Sequence, residues 1–279
     1  MRLVFSKYEG LGNDFVVTET SVDAKQAVAI CDRHRGVGAD GVLIVGKKGD
    51  RFSMTVINAD GSQPEMCGNG IRCVALFLVE NKKTQATDFE IDTDAGPHRC
   101  VVRGGTVEVT MRAPTLVPAS VPVVADAPVL DQSFEAEGID ASRGAAFGTP
   151  RSVKLTCVSM GNPHGVTFDD IGEARRTLGP ALEKHARFPR HANIGFARVV
   201  APQTIDLAVW ERGVGFTEAC GTGACACAVA AVETGRAERS QPIEVRLPGG
   251  PLQIRVGAPG ERLLMTGPAR HVFDGSVDV

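Results

Sequence analysis

The chain has 279 residues, of which 43% are hydrophobic and 23% charged, and its formal net charge is −3 at pH 7. This composition excludes a disordered, collagen-like or coiled-coil protein, and the lack of a basic stretch argues against nucleic acid or an anionic membrane as a partner. The longest uninterrupted apolar run, Ala224 to Val232, has nine residues and is too short to cross a membrane. At roughly 150 residues per domain, the length predicts two domains or one large one.

The first ten residues lack the apolar stretch of a secretory signal, so we expect the protein in the cytoplasm. The eight cysteines should be reduced there. Six of them are interpreted as small apolar core residues, namely Cys31, Cys73, Cys100, Cys157, Cys225 and Cys227.

Short β-rich runs dominate the chain, and several alternate apolar and polar residues as a half-buried strand should. In chain order, strands are predicted at Leu3 to Tyr8, Phe15 to Glu19, Val42 to Val45, Phe52 to Asn58, Phe89 to Thr93, Thr106 to Met111, Val153 to Ser159, Ile194 to Val200, Ile205 to Trp210, Ile243 to Leu247, Leu252 to Val256 and Leu263 to Thr266.

Helical patterns are fewer. They are predicted at Ala24 to His34 behind an Asp23 cap, at Ile71 to Val79, near Ile171 to His185 with an interruption at Gly179-Pro180, and at Ala224 to Val232. The second and fourth of these are apolar on all sides, so each must be buried by a surrounding sheet.

The sequence repeats itself. A shift of 153 residues places Glu65 to Gly70 over Glu218 to Gly223, and a shift of 149 places Gly12-Asn13 over Gly161-Asn162. We therefore predict an α+β fold of two pseudo-symmetric β-rich domains, each a curled mixed sheet wrapped around one central buried helix.

The domain boundary is predicted from the proline-rich segment of residues 112–128, which is interpreted as a linker or edge crossing. It divides the chain into residues 1–118 and 119–265. Residues 129–150 contain no motif that we interpret.

Each predicted central helix begins with a Cys-Gly-x-Gly sequence, at Cys67 and at Cys220. Glycines leave the backbone N–H groups uncovered, and the start of a helix carries partial positive charge, so both places favour a carboxylate and a thiolate. We expect both thiols to have a lowered pKa. Two such thiols on opposite faces of one carbon would invert a stereocentre, and oxidation would join them as a disulfide.

Other interpretations of these cysteines have less support. Cys67 and Cys73 are six residues apart, and Cys220, Cys225 and Cys227 do not form the C-x₂-C spacing of a zinc site. A phosphate-binding loop would end in Gly-Lys-Ser or Gly-Lys-Thr, which is missing. We therefore predict no metal and no cofactor, and activity that survives EDTA.

The chain resembles the diaminopimelate epimerase family over nearly its whole length. The resemblance rests on Gly10 to Phe15, Gly36 to Gly41, Asn58 to Ser62, Met66 to Gly70, Met160 to His164, Phe188 to Phe196, Glu211 to Gly213, Ala219 to Cys225, Leu247 to Gly250 and Met265 to Ala269. It implies a homodimer, a C-terminal segment of about 266–279 that completes the first domain, and a cofactor-independent epimerase of lysine and cell-wall precursor synthesis.

The resemblance also implies roles for individual residues. Cys67 and Cys220 would be the catalytic acid and base, and His164 and Glu211 would poise the thiols. The reacting end of the substrate would be held by Gly68, Asn69, Gly221, Thr222 and Asn13, and the distant end by Asn58, Asn162, Asn193, Glu211 and Arg212. An Arg can fork a carboxylate and a Glu can pair with an ammonium group.

Two positions depart from the family pattern, since Gly41 stands where some members have Gln and Phe216 where Glu is expected. The nearest alternative is a proline or histidine racemase of the same superfamily. Asn69 argues against the proline type, in which His is usual, and Arg212 with Asn162 argues for a clamp on a distal carboxylate. A thiol-redox protein or an amino acid binding protein is the alternative from another class.

Overall fold

A computed structural model describes residues 2–135 and 152–279, and the chain folds into two compact units. Unit 1 is Met1–Thr110 with Thr266–Val279, and unit 2 is Met111–Met265. This division falls eight residues before the predicted boundary of 118, so the proline-rich segment belongs to unit 2. Val121 and Val123 are buried with Leu155 and Phe188 in the core of unit 2.

The described strands are, in chain order, β1 (Arg2–Gly10), β2 (Asn13–Thr18), β3 (Gly41–Lys48), β4 (Arg51–Asn58), β5 (Asp88–Thr93), β6 (Gly96–Arg103), β7 (Thr106–Thr110), β8 (Gln132–Glu135), β9 (Ser152–Ser159), β10 (Pro163–Thr167), β11 (Asn193–Ala201), β12 (Thr204–Glu211), β13 (Gly215–Phe216), β14 (Pro242–Leu247), β15 (Gly250–Arg255), β16 (Leu264–Pro268) and β17 (Arg270–Asp278). The helices are α1 (Ala24–Cys31), α2 (Gly68–Glu80), α3 (Arg175–Glu183) and α4 (Gly221–Glu233), and a 3₁₀ turn, Gly172–Ala174, precedes α3.

The two units repeat one order of pairing. In unit 1 the sheet runs β17–β1–β2–β3–β4–β5–β6–β7, with β2–β3 and β4–β5 parallel and the other pairs antiparallel. In unit 2 it runs β8–β9–β10–β11–β12–β14–β15, with β10–β11 and β12–β14 parallel. The parallel pairs fall at corresponding places, as expected for a duplicated fold.

A buried helix lies inside each sheet. Helix α2 contacts β1, β2, β3, β4, β6, β7 and β17, and α4 contacts β9, β10, β11, β12, β14 and β15. Residues 68–78 of α2 are all buried, Arg72 included. Strand β3 shows how the sheet separates two layers, because Leu43 faces Gly70 of α2 whereas Val42 packs with Ile30 of α1. The predicted fold class is confirmed.

Every predicted strand is present, and Asp23 caps α1 through a capping box with Gln26. Helix α1 ends at Cys31, three residues earlier than predicted. The predicted interruption at Gly179-Pro180 is wrong, because α3 continues through both residues. Leu178 and Leu182 are buried in the core of unit 2 and hold this helix in place.

Residues 129–150 are the segment in which we interpreted no motif. Its residues 136–150 lie outside the described residues, and β8 (Gln132–Glu135) lies in its first part. Within residues 2–135 and 152–279 no helix is long and apolar enough to cross a membrane.

Candidate active site

In unit 1, Cys67 is the residue that caps α2. Its backbone is extended (φ −129°, ψ 117°), and its Sγ accepts a hydrogen bond of 3.3 Å from the Gly70 amide. A Cβ on Gly70 would lie 2.9 Å from Leu43 Cδ2, so the helix start cannot carry a side chain there without a shift. Cys67 is half-buried, and its sulfur caps the helix start, where the helix dipole stabilises negative charge.

Two asparagines accompany Cys67. Asn69, in the first turn of α2, donates from Nδ2 to Asn13 Oδ1 at 3.1 Å. Asn13 begins β2 and in turn donates from Nδ2 to the Asp40 carboxylate at 2.7 Å. The structure therefore brings together Cys67, Asn69 and Asn13.

Asn58 lies at the C-terminal end of β4, where its Nδ2 donates to Ser62 Oγ at 2.9 Å. Gly41, one of the two departures from the family pattern, pairs with Asn58 across β3 and β4. A Cβ at Gly41 would lie 2.9 Å from the Ile57 carbonyl oxygen. A Gln at this position therefore requires a different local backbone.

In unit 2, Cys220 caps α4 with a similar extended backbone (φ −122°, ψ 103°). Its Sγ lies 3.7 Å from Thr222 Oγ1. Our expectation of a lowered pKa is wrong for this thiol. Burial and the nearby Glu211 carboxylate raise the pKa of Cys220 well above its usual value, and the hydrogen bonds from Thr222 and the Gly223 amide only partly offset them.

Asn162 and His164 are joined to the Cys220 group. Asn162 Nδ2 donates to Thr222 Oγ1 at 3.3 Å, and His164 Nε2 lies 3.0 Å from Asn162 Oδ1. Burial, aided by the charge of Arg212, lowers the pKa of His164 to about 3. The imidazole is therefore neutral at working pH and, by this geometry, donates its Nε2 hydrogen to Asn162. It contributes no positive charge to the thiol.

Glu211 is the last residue of β12, and Arg212 follows it. Glu211 accepts a hydrogen bond of 2.5 Å from Thr217 Oγ1, and its charge acts on Cys220. The Arg212 backbone N–H donates to Asn193 Oδ1 at 2.9 Å, and Asn193 Nδ2 donates to the Pro163 carbonyl at 3.2 Å. The Arg212 side chain is exposed and donates to the Arg190 carbonyl.

The duplication extends to these contacts. In each unit an asparagine that follows a positive-φ glycine (Gly12, φ 80°; Gly161, φ 99°) is hydrogen-bonded to the side chain two residues after the cysteine. Sequence reasoning missed three residues of these groups, Asp40, Arg72 and Thr217. Asp40 lies inside the motif Gly36 to Gly41 and Arg72 inside the predicted helix Ile71 to Val79, but only the fold shows what they contact.

The six cysteines interpreted as core residues are all buried, which confirms that prediction. Burial raises the pKa of Cys31 to about 11 and that of Cys100 and of Cys157 to about 12. All eight cysteines lie in the described parts of the chain, and none of them forms a disulfide. No group of three or more His, Cys, Asp or Glu residues in those parts could hold a metal ion.

Solved structures share this fold over almost the whole chain. A probable proline racemase from Agrobacterium radiobacter K84 matches with a TM-score of 0.71 at 16% identity, covering 99% of this chain and 93% of that one. A PhzF-family phenazine biosynthesis protein from Bacillus anthracis matches with a TM-score of 0.71 at 12% identity over 100% of both chains. The chain therefore has the duplicated fold of these racemase-like and PhzF-like proteins.

Within that class, the chain belongs to the diaminopimelate epimerase family, whose model matches residues 5–117 and 156–272. The diaminopimelate epimerase of Acaryochloris marina is 45% identical over 293 residues, covering 99% of this chain and 98% of the relative. That of Stutzerimonas stutzeri is 41% identical over 288 residues, covering 99% of both chains. The resemblance inferred from the motifs is confirmed.

Proposed function

We propose that this chain interconverts L,L- and meso-diaminopimelate by removing the proton from one α-carbon and returning a proton to its opposite face. Cys67 and Cys220 are the two acid/base residues. One observation carries this proposal: each unit places a cysteine at the N-terminus of its buried central helix, beside an asparagine bound to the same first turn.

The surroundings of the two thiols support different resting states. Cys67 accepts a backbone N–H bond and is half-buried, which suits a thiolate that removes a proton. Cys220 is buried beside a carboxylate that raises its pKa, which suits a thiol that returns one. A two-base epimerase needs one of each at the start of every turnover.

The backbone amides of Gly68, Asn69, Gly221 and Thr222 are proposed to bind the carboxylate at the reacting carbon, together with Asn13. Negative charge grows on that carboxylate as the proton leaves, and N–H groups at helix starts stabilise it. The distant amino acid end is assigned to Asn58, Asn162, Asn193, Glu211 and Arg212. The exposed Arg212 guanidinium can fork a carboxylate there.

The experiment is incubation with L,L-diaminopimelate in heavy water, with the products followed by chiral separation and mass spectrometry. We expect meso product with one deuterium at a single α-carbon, without added pyridoxal phosphate and in the presence of EDTA. Proline, hydroxyproline and histidine serve as competing substrates. Turnover of one of them in place of diaminopimelate contradicts the proposal, and so does a lack of α-proton exchange on diaminopimelate itself.

We further propose that the protein works in the cytoplasm as a homodimer. Thiols that must stay reduced for proton transfer support a reducing compartment. The homodimer rests on the family resemblance. Sedimentation of the purified protein at micromolar concentration tests it, and a monomer at that concentration contradicts it.

A further inference from the structure

Helix α2 carries a buried cation close to Cys67. Arg72 is 0% exposed and is the largest fully buried side chain in the described residues. Its guanidinium donates to the Gly68 carbonyl at 3.1 Å, to the Pro268 carbonyl at 3.1 Å and to Asn69 Oδ1 at 3.0 Å. A buried guanidinium is costly to desolvate, so its retention here indicates a specific task.

From Arg72 the hydrogen bonds run in one direction to an anion. Arg72 donates to Asn69 Oδ1, and Asn69 Nδ2 donates to Asn13 Oδ1. Asn13 Nδ2 donates to Oδ2 of the Asp40 carboxylate. The other oxygen of that carboxylate, Oδ1, accepts from Arg33 Nη2 at 2.8 Å.

The charged ends determine which way the amides point. A side-chain amide can be turned by 180° so that its oxygen and nitrogen exchange places. Two asparagines alone can form a hydrogen bond in either orientation, because each amide has both a donor and an acceptor. A guanidinium can only donate and a carboxylate can only accept, so reversing either amide leaves two donors or two acceptors facing each other.

The corresponding place in unit 2 is different. Five residues after Cys220 stands Cys225, where Arg72 stands five residues after Cys67. Asn162 is instead held between the neutral His164 and the hydroxyl of Thr222. The charged relay therefore belongs to unit 1 alone.

We infer that Arg72 and Asp40 are positioning residues that fix the orientation of Asn69 and Asn13, so that Asn13 always presents an N–H, never an oxygen, outside the relay. This inference rests on the proposed function for its consequence: that N–H meets the carboxylate at the reacting carbon. A reversed amide would present an oxygen to the carboxylate and repel it.

The first test needs no substrate. The chain has six asparagines, so ¹⁵N-asparagine labelling gives a small spectrum in which Asn13 and Asn69 are assigned by their Ala variants. We expect Arg72→Met and Asp40→Asn to move the Asn13 side-chain amide signal toward that of a free amide, and Arg72→Lys to restore it partly. Cys225→Ala, at the matched position of unit 2, should leave it in place.

Wild-type Asn13 signals in both Arg72→Met and Asp40→Asn would overturn the inference. Should Arg72→Met not fold, Asp40→Asn decides the point, because Asp40 is partly exposed and its replacement leaves the core intact.

The second test measures steady-state kinetics. We expect Arg72→Met to lower kcat/KM by about tenfold or more, with a fall in kcat as well as a rise in KM, because the affected contact holds a carboxylate whose negative charge grows as the proton leaves. In an Asn69→Ala background the same change should cost less than about twofold, because Arg72 acts through Asn69. If Arg72→Met lowers kcat/KM by the same factor in the wild type and in the Asn69→Ala background, the inference is contradicted. A wild-type protein that does not epimerise the substrate contradicts the proposed function only, and the amide spectra still test the relay.

Discussion

Cys67 and Cys220 occupy equivalent positions in two copies of one motif, yet their surroundings differ. The glycines and the helix start are the same, and from these we expected two similar thiols. What separates them comes from elsewhere in the fold: the depth of burial and the carboxylate of Glu211, which reaches Cys220 from the end of β12. A sequence motif shows the glycines and the helix start, but it does not show the burial depth or a carboxylate from a distant strand.

The effect of Glu211 on Cys220 gives a prediction with a definite sign. Its carboxylate disfavours the thiolate, so Glu211→Gln should lower the pKa of Cys220. In a Cys67→Ala background, a small thiol reagent should then modify Cys220 faster at pH 8, by about threefold or more. The control is Thr217→Val, which removes the hydrogen-bond donor to Glu211 but keeps the Glu211 carboxylate. Modification that slows or does not change in Glu211→Gln contradicts this account.

His164 should make unit 2 sensitive to acid. Its pKa is about 3 in the folded chain and about 6.5 when unfolded, so the unfolded state alone takes up a proton between these values. Stability contributed by the neutral imidazole is complete above about pH 6.5 and is lost progressively as the pH falls toward 3.

Gln at position 164 can still donate to Asn162 but does not titrate. Between pH 7 and pH 4.5, His164→Gln should therefore lose less unfolding free energy than the wild type, by on the order of 2 kcal/mol, in urea titrations. Equal losses in the two proteins would show that His164 is protonated in the folded state.

Among the secondary-structure elements, the hydrophobic pattern predicted the strands and helices whose apolar side chains are buried. The exceptions are instructive. Strand β17 is largely exposed and rich in polar residues, and it is a strand because β1 pairs with it along its length. Strand β10 begins with a proline and contains a glycine, both of which argue for a turn when neighbours are unknown.

The predicted interruption of α3 was wrong for a similar reason, because contacts with the rest of the fold were not visible in the local sequence. Gly179 and Pro180 are poor helix residues, but a Cβ at Gly179 would lie 2.8 Å from the ring of Trp210, so this close approach needs a glycine. The indole is also held by a hydrogen bond of 2.7 Å to Glu183.

Gly179→Ala should therefore destabilise unit 2 by about 1–3 kcal/mol, although alanine is the better helix former. Trp210 is the only tryptophan and reports unfolding by its fluorescence. Gly105→Ala, where the nearest atom is 3.6 Å from the new Cβ, is the control and should leave the midpoint unchanged. A Gly179→Ala protein as stable as the wild type would show that the Trp210 contact is not tight.

For the whole molecule, the duplication was readable from the sequence because the two cysteine motifs are nearly identical. The charged relay of unit 1 was not, because its members come from β2, the segment before β3 and α2, and their sequence positions give no sign that they meet. Asp40 lies in the motif Gly36 to Gly41 and Arg72 in a predicted helix, yet neither pattern shows which atoms are in contact.

The chain end also belongs to the fold of unit 1. Strand β17 covers β1 from Arg2 to Glu9, and Ser6 Oγ donates to Asp274 at 2.6 Å. Truncation after Arg270 removes this neighbour and exposes the edge of β1, so unit 1 should lose its cooperative unfolding transition. Truncation after Val277 removes two residues and should leave the transition in place. Equal transitions in both truncated proteins would contradict the role assigned to β17.

The central claim is that Cys67 and Cys220 act as opposed acid and base on one α-carbon, and stereospecific proton exchange tests it most directly. Serine keeps the shape of each side chain but ionises far less readily than a thiol. We predict that Cys67→Ser and Cys220→Ser each lose epimerisation by several orders of magnitude while remaining folded. Residual α-proton exchange in heavy water should then favour opposite isomers, the L,L form in one variant and the meso form in the other. Exchange that favours the same isomer in both variants, or near wild-type epimerisation by either, would contradict the account.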